Sequence, residues 1–110
     1  MEYGYQSEKL SAARHSLMLP HTQGIEQSIA SAFHECSLAF HRMDESGLSD
    51  DARAWVTKIK EFMDTSDLQD PASEGTWAVK ACTLSVDQQM ELSRVVDELA
   101  HYFDRKFWED

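Results

Sequence analysis

The run IEQSIASAFHECSLAFHRMD, residues 25–44, decides the fold class. Within it Ile25, Ile29, Ala32, Phe33, Cys36, Phe40 and Met43 recur at spacings of three and four. At about 100° per residue, all seven fall within about 60° of one direction, as on a helix with a single buried face. Gly24 precedes the run and Glu45-Ser46-Gly47 follows it. Gly47 is expected in the left-handed turn past the helix end. The spacing predicts a helix over 25–44.

Downstream, Ser49-Asp50-Asp51 is a helix start: a capping hydroxyl followed by two carboxylates near the positive end of the dipole. The helix that follows carries Ala52, Trp55, Val56, Ile59, Phe62 and Met63 on one side, with Arg53, Lys58, Lys60 and Glu61 on the other. It is expected to fray near Asp64-Thr65-Ser66, with turns at Asp70-Pro71 and Gly75. Residues 76–82, TWAVKAC, fit a short helix or an extended piece. Ser85-Val86-Asp87-Gln88 reads as a capping box. It opens a final helix from Val86 to about Trp108, striped by Leu92, Val95, Val96, Leu99, Tyr102, Phe103 and Phe107.

Upstream, Ser7 as N-cap and Leu10, Ala13 and Leu17 on one stripe predict a short helix over 8–17, ended by Pro20. Residues 1–7, with Tyr3-Gly4-Tyr5, read as a flexible arm that orders on binding. The expected architecture is all-α: one domain over residues 1–110, a small helical bundle of three long helices plus one or two short ones.

Twenty acidic residues against ten basic ones give a net charge of -10. Direct binding to nucleic acid or an anionic membrane rests on Lys and Arg, so neither is expected. No stretch of about 18 apolar residues is present to span a bilayer, and Met1-Glu2-Tyr3-Gly4-Tyr5 lacks the basic start and apolar run of a secretion signal, so none is expected. Two cysteines without a Cys-x-x-Cys spacing suggest a reducing, cytoplasmic setting and no structural zinc.

Candidate chemistry begins with five histidines, His15, His21, His34, His41 and His101. His34 and His41 share a helix face but lie roughly 10 Å apart along the axis, a poor span for one ion. Glu98-x-x-His101 has the spacing of di-iron bundles, which need the pair on a second helix; here it occurs once, facing outward. His34 and Cys36 point about 160° apart on a helix, so the thiol is expected to be a core group. No glycine-rich phosphate loop, Gly-x-Ser-x-Gly elbow or His-Glu-x-x-His is present. No catalytic residue, cofactor or metal is expected.

What remains is surface. Between Asp44 and Glu74, nine acids (44, 45, 50, 51, 61, 64, 67, 70, 74) face three bases (53, 58, 60), a local balance of -6. Such a segment keeps a protein soluble, or steers it toward a basic partner. Leu38, with His34 and His41, lies opposite the Phe33–Phe40 stripe. Met90, His101 and Trp108 share the outer side of the last helix, and Trp77 belongs to no assigned core. Apolar, aromatic and histidine side chains in such places suit an interface, or one side of a bundle that wraps Leu38 under the first helix or the Trp77 segment.

The expected function is a non-enzymatic acidic binding module from a bacterium or its phage: an inhibitor, immunity protein or adaptor. Its partner would be a protein with a basic surface, such as a nucleic-acid-handling protein. The binding residues would be Leu38, His34, His41, Asp44, Glu45, Asp50, Asp51, Glu61, Asp64, Met90, His101 and Trp108. The alternatives are a homo-oligomer, such as a homodimer, with a ligand pocket at its interface, and a metal-dependent enzyme built on His34, His41, Glu98 and His101.

Overall fold

The computed structural model describes residues 4–18, 24–41, 43–65 and 76–109, with 76, 78 and 107–109 in backbone only. The elements are α1 (Gly4–Ser16), α2 (Ile25–Phe40), a 3-10 turn (Glu45–Gly47), α3 (Asp50–Met63), α4 (Thr76–Thr83) and α5 (Val86–Glu109). Among the described residues there is no strand. The all-α bundle expected from the three periodic segments is therefore the fold, with α2, α3 and α5 as its long helices.

The starts of α3 and α5 are set by side-chain chemistry. Ser49 Oγ accepts the Ala52 N–H at 3.1 Å, capping α3 as its sequence predicts. At α5 the capping box closes both ways: Gln88 N–H donates to Ser85 Oγ at 3.1 Å, and Ser85 N–H to Gln88 Oε1 at 2.8 Å. Gly24 precedes α2 at φ 98°, a conformation that side chains disfavour, so the left-handed glycine sits at a helix start. Gly47, expected in that region, has no positive φ.

Three boundaries differ from expectation. The first helix begins at Gly4, so residues 4–7 are a helical turn and Ser7 is a buried interior position, not a cap. A bond from Gln6 Nε2 to the Ala39 carbonyl at 3.2 Å ties that turn to α2. α2 ends at Phe40 instead of Asp44, because Asp44 is taken as the cap of the 3-10 turn. Its carboxylate accepts from Ser46 N–H at 3.0 Å and from Ser46 Oγ–H at 2.6 Å. The stretch over 76–82 is helical: Trp77, Ala81 and Leu84 turn one face inward, with Ala81 and Leu84 buried. The turns expected at Asp70-Pro71 and Gly75 lie outside the described residues.

α1 packs against α2 and α5, α4 against α2, and α3 against α5. The bundle thus covers α2 from two directions. Its core joins Leu10 and Ala13 of α1, Ile29, Phe33 and Cys36 of α2, Val56 and Ile59 of α3, and Leu92, Val95, Val96, Leu99 and Phe103 of α5. Tyr102 closes one corner: its buried hydroxyl accepts the Ser49 N–H at 3.1 Å, fastening the start of α3 to α5.

Candidate protein-interaction surface

The core of α3 is made by Ala52, Val56, Ile59 and Phe62. On a helical wheel, Asp50, Thr57, Glu61 and Asp64 lie within about 40° of the direction opposite to that core. The helix therefore turns a line of carboxylates outward over about 21 Å of its length. All four of these side chains are exposed.

Basic residues border this line and are matched locally. Arg53 pairs with Asp50 on the same helix. Lys60 Nζ meets Glu45 Oε2 at 3.2 Å and lies 5.9 Å above the Phe40 ring. Lys58 sits 5.6 Å over Phe62. The two hydrogen bonds from Ser46, side chain first, hold Asp44 below the usual carboxylate range, so it stays ionised at mildly acidic pH.

Beside the acidic line, an open groove of about 630 Å³ separates the C-terminal half of α3 from α4. Lys60, Glu61, Met63, Asp64 and Trp77 contribute to its walls. Trp77 meets Phe33 edge to face, with ring centroids 6.4 Å apart and an interplanar angle of 65°. The ring assigned to no core by sequence thus packs on the core and lines a surface groove. The Trp77–Ala81–Leu84 spacing carries this signal, but only when the window extends past Cys82.

The other expected interface residues divide into groups. Asp44 and Glu45 flank the start of the 3-10 turn, while Asp50 and Asp51 form the first turn of α3; Asp44, Asp50 and Asp51 are exposed. Glu61 and Asp64 both line the groove. His34 and His41 are exposed on and just after α2, whereas Leu38 between them is half-buried, so it is no freestanding outer anchor. Met90, 66% exposed, and His101 share the outer face of α5 as the wheel requires. The Trp108 side chain lies outside the described residues.

His101 Nδ1 lies 2.9 Å from the Asp97 carbonyl and 3.6 Å from its carboxylate, and Asp97 also holds Arg14 of α1 at 2.5 Å. His34, His41, Glu98 and His101 do not converge. No group of three His, Cys, Asp or Glu side chains among the described residues is placed to hold a metal. Cys36 is fully buried, and burial, aided by the neighbouring Glu35 carboxylate, pushes its thiol up to about 12. It is a core group, as its wheel position predicts. Cys82 is free and exposed.

Among the described residues no helix is long and apolar enough to cross a membrane. Compared with known proteins, the chain matches no family model, no curated protein and no solved structure.

Proposed function

We propose that this chain is a non-enzymatic binding module whose acidic α3 face engages a basic protein surface in the cytoplasm. The observation that carries this reading is the outward line of Asp50, Glu61 and Asp64, opposite the core of α3. Charges so placed act through solvent on an approaching partner, raising the association rate at low salt. An inhibitor, immunity protein or adaptor, bacterial or phage-borne, is the biological form this takes. A nucleic-acid-handling protein is a fitting target, because its basic groove is built to accept anions.

The test is affinity for candidate basic partners across ionic strength. The association rate should fall several-fold from ~50 mM to ~200 mM salt. A quadruple variant D50N/D51N/E61Q/D64N should lose most of that dependence. Affinity indifferent to salt removes the electrostatic basis of the proposal.

A second reading has its own observation. Val86 and Met90, 69% and 66% exposed, stand one turn apart on α5, and Met18 after α1 is 52% exposed. An apolar face of this kind suits self-association. Light scattering over a concentration series decides between the two: a constant monomeric mass removes the second.

A further inference from the structure

The outer face of α5 is unlike the acidic face of α3. Val86 and Met90 stand on it 69% and 66% exposed, and Arg94 follows one turn later. Beside them Leu17 and Met18, just past α1, line an open groove of about 340 Å³ with Arg14, Ser93, Arg94 and Asp97. Arg14 and Asp97 pair there, and Arg94 gives one bond to Glu91 at 3.2 Å. A guanidinium carries five donors, so that bond leaves most of the Arg94 fork for a second carboxylate.

Helix geometry makes this face its own complement. Seen down α5 from Met90, Arg94 and Asp87 lie about 40° and 60° to one side, and Val86 and Asp97 about 40° and 20° to the other. Along the axis Arg94 is about 6 Å beyond Met90, while Val86 and Asp87 are about 6 Å and 4.5 Å before it. A two-fold axis crossing the helix at Met90 reverses direction and keeps each side. It sets Arg94 of one copy within about 1.5 Å of axial register with Asp87 of the other, and Met90 against Met90. Met18, beside Ser93 and Asp97 on the Val86 side, is brought toward Val86 of the second copy. We propose that a second copy of this chain docks here, α5 antiparallel to α5, as an isologous dimer. Charge selects the face: the outward carboxylates of α3 repel their like, whereas here each copy offers the other both an acid and a base. The proposal rests on the self-association reading and gives it a face and a register. α3 packs on the core side of α5, so the acidic line of each copy stays uncovered in the pair.

The test is sedimentation equilibrium from ~10 µM to ~1 mM, the span of weak complexes, with the exposed Cys82 kept reduced. The mass should rise with concentration and stop at two chains. M90D places two carboxylates together on the two-fold axis and should weaken pairing at least about tenfold. D87R and R94D should each weaken it about tenfold, because each meets a like charge twice. The double swap D87R/R94D restores opposite charges at unchanged net charge and should recover most of the affinity. The loss in D87R is the sharper sign, since lowering the net negative charge alone would favour association. Circular dichroism should show every variant folded, the three side chains being exposed. A dimer indifferent to M90D and to both swaps, a double swap that restores nothing, or a mass that grows past two chains overturns this pairing and leaves self-association through another face. A single-chain mass throughout overturns both.

Discussion

A thiol with no water around it keeps its proton, and a thiol that keeps its proton is a poor nucleophile. Cys36 and Cys82 are the same chemical group in two surroundings, one buried and the other exposed. An aromatic disulfide reagent at neutral pH should therefore modify Cys82 and spare Cys36 until the chain is unfolded. Modification of both thiols at one rate in the native protein contradicts the burial of Cys36. The same burial makes a prediction at alkaline pH. The Cys36 pKa is raised from 9.0 to about 12, so the fold favours the neutral thiol. Its contribution to stability is fully present below pH 9 and is lost as pH rises toward 12. Denaturant midpoints should fall over that window, and C36A, though less stable at pH 7, should show a smaller fall. Parallel curves for the two proteins remove thiol ionisation as the cause.

At the scale of elements, caps and docking contacts decide where helices start and how firmly they sit. Ser49 does two jobs, because its hydroxyl caps α3 and its own N–H donates to Tyr102. S49A should cost about 1 kcal/mol through the cap. Y102F leaves a partly buried N–H without its acceptor and should cost about 1–3 kcal/mol. Chemical denaturation of both variants checks the pair. α3 and α5 were legible in the sequence because pattern and cap coincide: Ser49 and Ser85 precede stripes that are buried in the structure. α1 and α4 were less so, for a physical reason. Neither carries an acid in its first turn, and each has few core residues of its own. Their helicity comes from packing, α1 on α2 and α5, and α4 on α2, which no local window contains. The candidate site shares this limit. Asp50, Glu61 and Asp64 could be placed from the wheel, but the groove needed α4, and α4 needed Phe33 beneath Trp77. L10A tests how firmly α1 is held: Leu10 has no exposure, so the substitution should cost about 2–5 kcal/mol. A loss under about 1 kcal/mol would show α1 to be a loosely attached strap.

For the whole molecule the question is whether a net charge of -10 is tolerated or resisted by the fold. Local ion pairs work in favour of folding: Arg14 with Asp97, Lys60 with Glu45, Arg94 with Glu91 and Lys9 with Glu35. The first three are about half exposed, a setting in which a pair is worth about 0–1 kcal/mol. Against them stands repulsion among the excess carboxylates, felt over the whole 44 × 29 × 23 Å body at low salt. The screening length falls from about 30 Å at ~10 mM salt to about 8 Å at ~150 mM. Salt therefore weakens the long-range repulsion first and the contact pairs least. Tm should rise by a few degrees across that range, since about 1 kcal/mol moves a domain of this size by about 4–8 °C. The variant D50N/D51N/E61Q/D64N, with four charges fewer, should respond less to added salt, while its Tm at low salt also loses the carboxylates at the positive end of the α3 dipole and the Asp50–Arg53 pair. A Tm that falls with salt would reverse the balance, making the ion pairs the dominant electrostatic contribution. The carboxylates of α3 would then belong to the stability of the bundle, and could no longer be counted as charge held out for a partner.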